Sequence, residues 1–467
     1  MRKKIRSVLA NVTYIAIVSF FVVFMIVALT WSGYHVRATK NHLEDSRFGE
    51  FLGEKIKNIA TIPTNLEAEI TKKNSVTAKE QRFDGITGFT KSFYDSNQLD
   101  GYLLLARYSL SRSGHIVELY DLEKKKKIHV WDPNFKKIAK KVSLKTPHFE
   151  KSKDLTEEQA RVGHPLPLKN GNILFNTFSS PLFKMTPCGN LSVFNQDVYF
   201  HHSLEKDRQG NIWSPARIKN SSLPGVSNKK HVSKSFNDDS IVKLNPQGDI
   251  IFEKSIIEIL VDNNLGVYIW GFGKTSFQDP VHLNDIEPVD STTKYWKKGD
   301  LFLSSRHNSL VFLYRPSTNK VVWYSVGPWK HQHDVDIVND RNISVFDNNL
   351  YRGGGTNFVP KKEGNNVPIY NFTTQKVSYE FEKVIDQNDV RTPAEGRSEI
   401  IGDNIVLIEE TNYGRILALH RQKGVLWEYV NREQNGENVY YLNWSRYLSE
   451  EEGRQFVKKI KQSNCQE

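Results

Sequence analysis

The chain has 467 residues, 12% aromatic and 25% charged, with a net charge of +11. That length supports a large core in one or more domains, and the aromatic residues recur beside strand-like runs, which favours β structure. The positive charge gathers in lysine clusters such as Lys124–Lys127 and Lys136–Lys141. No basic helix or RNA-binding motif accompanies it, which argues against nucleic acid as a partner. The clusters read as solvated turns, or as a field that draws anions or an anionic membrane surface. The only cysteines, Cys188 and Cys465, form no CxxC and no His/Cys metal spacing. Zinc and thiol redox chemistry are therefore disfavoured, and one long-range disulfide stays open.

In chain order, Arg2, Lys3, Lys4 and Arg6 precede Val12–Trp31, a run of twenty residues without a charge. As a helix this run is long enough to cross a hydrocarbon core of about 30 Å. It exceeds a signal-peptide apolar region, and no small-x-small cleavage site precedes Ser32, so it reads as an uncleaved anchor. The basic flank stays cytoplasmic and places the bulk outside. The expected location is thus the cell inner membrane, single-pass, with a periplasmic C-terminal domain. Residues 32–84 are polar and mixed. His42–Ile59 and Asn65–Lys72 can be helical on either side of Pro63, and together they read as a short helical stalk.

From about Asp84 the texture changes to short apolar runs split by Gly, Asn, Asp and Pro. Two units alternate. One is a hairpin, found at 116–131, 182–194, 241–253, 310–324, 368–381 and 416–429, with starts 48 to 69 residues apart. The other is a tight turn followed by one strand, at Gly101, Gly171, Gly210, Gly299, Arg341 and Gly402. Arg341 is the exception to glycine. Six copies of three or four strands each argue for radial repetition. The expected fold is all-β, a six-bladed β-propeller over residues 85–445. The anchor (1–31) and stalk (32–84) precede it, and a C-terminal helical tail (446–467) follows.

Four of these units carry a histidine ahead of the turn. His164 lies seven residues before Gly171, His202 eight before Gly210, His282 seventeen before Gly299, and His333 eight before Arg341. Matched positions in different blades sit at matched places around the axis, so these residues can meet. A single such histidine reads more readily as a turn residue. His202, His282 and His333 together read as a site, with His164 the weakest member. Arg306 ends an apolar strand and calls for an anion or a carboxylate. Asn284, two residues after His282, can bind substrate as a neutral donor. Three imidazoles and a guanidinium suit an anionic substrate rich in oxygen, with one histidine as nucleophile and others handling protons. Three histidines are also a catalytic zinc set, but Arg306 counts against a cation there. No metal and no cofactor are expected.

At these residues the chain resembles the bacterial arylsulfotransferase family, which uses no nucleotide donor. The matching pieces are HHSLEKDRQGNI at 201–212, HLNDI at 282–286, LSSRH at 303–307, and QHD with SVFDN between 332 and 348. RSE at 397–399 and LWEY at 426–429 fit its last blade. The resemblance implies a six-bladed propeller with a central site and ping-pong transfer of a sulfuryl group from an aryl sulfate to a phenolic or other hydroxyl acceptor. It implies His333 as the nucleophile, with His202, His282 and Arg306 binding sulfuryl oxygens and handling the phenol proton. The sequence departs from the family's pattern in the 282–299 insertion, in Arg341, and in the extra His331. Two rival readings stay open, a non-catalytic extracytoplasmic propeller that binds a partner and a sulfate-ester hydrolase.

Overall fold

The computed structural model describes residues 77–95, 99–142, 160–218, 237–270, 279–353, 356–358, 364–432 and 436–463, with Leu155 and Cys465. The anchor expected at Val12–Trp31 and the helices expected at His42–Ile59 and Asn65–Lys72 lie outside the described residues. No helix among the described residues is long and apolar enough to cross a membrane.

Each hairpin read from the sequence forms an antiparallel pair. They are Gly114–Asp121 with Lys126–Trp131, Ser180–Met185 with Leu191–Phe200, and Asp239–Leu244 with Ile250–Ser255. Leu310–Arg315 with Lys320–Val326, Ile369–Asn371 with Lys376–Ser378, and Arg415–His420 with Gly424–Val430 complete the set. The strand after each tight turn joins its hairpin: Tyr102–Ser109, Ile173–Asn176, Ile212–Arg217, Leu301–Ser305, Asn342–Phe346 and Ile405–Glu410. At Gly101 the turn demands glycine, because φ is 98° and a Cβ would stand 2.6 Å from Leu448 O. Arg341 needs no such freedom. The Asn339 Oδ1 accepts from the Arg341 and Asn342 N–H groups at 3.2 and 3.0 Å, closing that turn with a side chain.

A further strand lies on the buried edge of these groups, Gly163–Pro167, Glu205–Lys206, Leu283–Pro288, His333–Ile337 and Arg397–Ile401, and carries Asn284 and His333, with His202 and His282 just ahead of two of them. In the first sheet that place is taken by Arg446–Leu448, from the other end of the chain, paired with Tyr102–Leu104. The result is all-β and propeller-like. Four sheets of four or five strands stand as separate blades. The expected six are not separated by hydrogen bonding. Strand Leu191–Phe200 pairs with Ile212–Arg217 at Ala216↔Phe200 and Arg217↔Tyr199, which merges residues 163–255 into one eight-stranded sheet.

Apolar layers between neighbouring sheets explain the strand sequences. Leu104, Val117 and Leu119 pack on Ile173, Phe175 and Phe183. Leu103 and Leu105 pack on Leu407, Ile416 and Ala418. Phe302 and Leu313 meet Ile343 and Val345. Tyr102–Ser109 is apolar without alternation because both of its faces are covered. The far-edge strand Lys320–Val326 instead alternates exposed and half-buried residues. Each fully buried leucine of these layers contributes about 1.5–3 kcal/mol. The lysines of both basic clusters lie at the surface or half-buried, in a hairpin turn and around the short helix Phe135–Ala139. Cys188 and Cys465 form a disulfide that ties the chain end, beyond helix Glu450–Gln462, to a hairpin turn.

Candidate active site

Register decides which residues are equivalent. The pair that closes each tight turn is Pro167↔Ile173, Lys206↔Ile212, Pro288↔Leu301, Ile337↔Ile343 and Ile401↔Ile405. Four residues before the first member of each pair stand Gly163, His202, Asn284, His333 and Arg397. Three residues before stand His164, Ser203, Asp285, Asp334 and Ser398. His202 and His333 are therefore equivalent, as expected. His282 is not their equivalent. It lies six before the pair, the position of His331, and Asn284 takes the place of the histidine. The insertion ahead of Gly299 hid this from a count along the sequence.

The position three before the pair is structural. His164 Nδ1 accepts from the Leu204 N–H at 2.7 Å, and Ser203 Oγ from Ile286 at 3.2 Å. Asp285 and Asp334 accept from Val335 and Ser398 at 2.7 and 2.8 Å. Each of these four side chains thus satisfies a main-chain donor further along the chain, while Ser398 Oγ has no hydrogen-bond partner among the described residues. His164 belongs to this set. Burial and the charges of Arg446 and Arg397 hold it far below the usual imidazole range.

The structure brings the other candidates together. The ring centroids of His202 lie 5.0 Å from His282 and 6.2 Å from His333. The main-chain N–H of Arg306 donates to His282 O at 3.1 Å, and its buried guanidinium acts electrostatically on His333. His333 is 1% exposed. Burial, and then the charge of Arg306, push its pKa far below 6.5, against the hydrogen bond to Asn348.

That hydrogen bond fixes the tautomer. Asn348 Nδ2 donates to Thr392 O and Glu395 O at 2.9 and 2.8 Å, so its Oδ1 is an acceptor, 2.6 Å from His333 Nδ1. The proton of neutral His333 sits on Nδ1, and Nε2 keeps a free electron pair, the form a nucleophile requires.

His202 is tied in a second chain. His201 Nε2 stands 3.2 Å from Asp239 Oδ1, and its Nδ1 lies 2.8 Å from His202 Nδ1. Burial keeps both imidazoles below the usual range, His202 far below, helped by the charges of His282 and its neighbours. One of the two facing Nδ1 atoms carries the proton and the other accepts it.

His282 differs from both. Its side chain is 22% exposed, and its Nδ1 donates to the carboxylate of Asp279 at 2.5 Å. His307, whose ring centroid is 4.5 Å away, donates from Nδ1 to Asp279 O at 2.5 Å. Burial would raise Asp279, but the hydrogen bond from His282 and the charges of His282, His307 and Arg217 outweigh it and leave the carboxyl well below the usual range. Burial and His282 lower His307 to about 4. One ligand atom from each of Asp279, His282 and His307 falls within 4.8 Å of the others, a spacing that a metal ion also accepts. Both Nδ1 atoms are already committed as donors to Asp279, so the trio is read here as a hydrogen-bonded unit.

Asn284 donates from Nδ2 to Gln332 O at 2.7 Å, bracing the residue before His333. Its Oδ1 finds no hydrogen-bond partner among the described residues. His331 donates its main-chain N–H to Ser309 Oγ at 3.2 Å. Sequence reasoning missed Trp444, fully buried, with centroids 5.0, 6.2 and 6.0 Å from His164, His202 and His333. It adopts φ 61°, a conformation costing a bulky residue on the order of 1–3 kcal/mol. Glu409 holds it there, accepting from the Trp444 and Ser445 N–H groups at 2.7 and 2.6 Å. Asp279 and Trp444 carried no signal beyond their residue type, while His307 and Asn348 end the pieces LSSRH and SVFDN that carry the resemblance, without a role attached to them.

The same buried-edge strands also carry acids. Glu205, Glu287, Asp336 and Glu399 line a cavity of about 240 Å³ with Arg397 and Arg446. Burial and mutual repulsion push Glu287 and Asp336 far above the ordinary carboxylate range.

Residues 172–432, more than half of the chain, match the family model described as Arylsulfotransferase (ASST). The chain belongs to the arylsulfotransferase family. No match was found among curated proteins. Among solved structures the chain is similar to a protein of unknown function from Bacteroides caccae, at 9% identity and a TM-score of 0.44, over 75% of this chain and 99% of that one. It is also similar to a streptogramin B lyase structure, at 14% identity and a TM-score of 0.36, over 76% and 96% of the two chains. Of the five expected site residues of this arylsulfotransferase family member, His202, Asn284 and His333 stand four before their turn pairs, His282 stands six before, and Arg306 follows the strand Leu301–Ser305.

Proposed function

We propose that this chain transfers a sulfuryl group from an aryl sulfate ester to a phenolic or other hydroxyl acceptor, without a nucleotide donor, through a sulfated His333. The observation that carries this reading is the pinned His333 tautomer, with Nε2 unprotonated among His202, His282 and Arg306. A neutral, oriented imidazole beside a guanidinium suits attack on an anionic sulfate. Arg306 takes sulfuryl oxygens. His202 and His282 face the group in flight and the phenol proton, and Asn284 offers its second amide hydrogen to substrate. The first half-reaction leaves sulfur on His333 Nε2 and releases a phenol. The second returns His333 and forms the new ester.

We further propose that the propeller has six blades. The eight-stranded sheet counts as two, since an apolar layer separates Leu174 and Leu182 from Val242 and Leu244 in the manner of the other blade interfaces. The inner-membrane anchor at Val12–Trp31 and a periplasmic domain complete the proposal, supported by the Cys188–Cys465 disulfide, which persists in oxidising compartments.

The test uses full-length protein in detergent with 4-nitrophenyl sulfate and a phenol acceptor. The expected results are nitrophenol release that depends on acceptor, and a sulfated His333 peptide by mass spectrometry. Unchanged turnover in His333→Ala would sink the nucleophile assignment. Release indifferent to acceptor would make the protein a hydrolase.

A further inference from the structure

Sulfuryl transfer between two phenols moves one proton twice. The leaving aryl oxygen must receive it, and the incoming hydroxyl must give it up. His333 cannot serve, because its Nδ1 is held by Asn348 and its Nε2 bonds to sulfur. His202 meets another imidazole at Nδ1, not a carboxylate. His282 alone of the three has a carboxylate on Nδ1, at 2.5 Å. Its cation is matched by a charge in direct contact. It is also the most exposed of the three, with an exchange route to solvent.

Building on the transfer reading above, we propose that Asp279 is the positioning residue that makes His282 the acid and base of the reaction, with His307 locking Asp279 in place. Asp279 sets the ring so that Nε2 points away from the carboxylate. His307 donates to Asp279 O, which fixes the main chain that carries that carboxylate. The other charged and titratable groups about His282 are His202, whose ring faces it, His201 and His333, on which its charge acts, Arg217, which acts on Asp279, Asp239, which accepts from the adjacent Leu283 N–H at 2.6 Å, and Arg306, whose main-chain N–H donates to its carbonyl. None of these puts a carboxylate on its ring.

The steps balance. In the first, the His333 Nε2–S bond forms and the S–O(aryl) bond breaks, and the aryl oxygen takes the proton from His282 Nε2. The imidazole of His282 becomes neutral and keeps its Nδ1–H on Asp279. In the second, the acceptor hydroxyl gives its proton to His282 Nε2 as its oxygen bonds to sulfur. The S–N bond breaks, and its electron pair returns to His333 Nε2.

The test is the dependence of full-length Asp279→Asn on the leaving group. Protonating the leaving oxygen matters little for 4-nitrophenol and greatly for unactivated phenol. Single-turnover release is expected to fall about threefold with 4-nitrophenyl sulfate and on the order of a hundredfold with phenyl sulfate. Sulfated His333 should still form from the activated donor, and Asp279→Glu should restore most of the phenyl sulfate rate. Adding Asp279→Asn to His282→Gln should cost nothing further. Equal losses with both donors would reduce Asp279 to a structural role and overturn the proposal. So would activity removed by chelator and restored by Zn²⁺, which would make the trio a metal site. Absence of sulfated His333 in the wild type would instead overturn the transfer reading itself, whatever Asp279 does.

Discussion

Two sets of side chains on the same buried-edge strands are treated in opposite ways by one physical force. His202 and His333, four residues before their turn pairs, and the carboxyls of Asp285 and Asp334, three before theirs, are all removed from water. Burial disfavours charge in both. It pushes His202 and His333 down and Asp285 up to about 8. The imidazoles become neutral bases, a reactive state. The carboxyls become hydrogen-bonding ties between sheets, a structural one. Where a charge is kept, it has a specific partner or sits beside the site: Asp279 on His282, Arg315 on Asp300, Arg306 beside His333. In the strand His333–Ile337 the proposed chemistry and the architecture thus fall on adjacent residues.

That contrast can be broken from either side, and the histidine side should give the largest effect. His333→Gln removes the proposed nucleophile and should lower transfer by at least about a thousandfold, with little change in thermal unfolding. The check is acceptor-dependent turnover beside a melting curve. A lesser loss is expected from Asn348→Leu, which releases the ring to the wrong tautomer. kcat should fall about a hundredfold with KM nearly unchanged, and ¹⁵N shifts of His333 should report the proton moving off Nδ1.

On the carboxyl side the effects should be on folding. Asp334→Ala strips the acceptor from the Ser398 N–H and should cost about 1–3 kcal/mol in denaturant titration. A loss of transfer without a loss of stability would make Asp334 part of the chemistry. The smallest effect concerns pH. Asp285 is held protonated in the fold, to about 8, against 3.8 for the ordinary group. Its contribution is whole below about pH 4 and lost as pH climbs toward 8, because the unfolded chain gives up the proton first. Asp285→Asn keeps an acceptor for the Val335 N–H and should flatten that part of the stability curve. A curve unchanged between variant and wild type would show that Asp285 is ionised in the fold.

Much of the fold was legible because it is local. Each hairpin and each tight turn is written in adjacent residues, and each formed near where the sequence placed it, although the second strand of the 368–381 hairpin stops at Ser378 and Phe381 caps the helix Glu382–Gln387. The merging of two sheets was not legible, since it rests on Phe200 and Tyr199 meeting Ala216 and Arg217 across a loop. The site was legible as a list. His202, His282, His333, Arg306 and Asn284 all reach one cluster. Their order within it was not. The insertion ahead of Gly299 shifted the count and made His282 look equivalent to His333, when register gives that place to Asn284.

By itself the sequence determined the repeat, the β character and the inventory of histidines, because strand period and turn chemistry act over a few residues. Only the tertiary structure decided which proton sits on which nitrogen. Asn348 meets His333 across fifteen residues of sequence, Glu409 holds Trp444 across thirty-five, and His307 reaches Asp279 across twenty-eight. Such pairs have no period to read. They exist because separate strands converge in a water-poor centre, where each polar atom must find a partner or lose its charge.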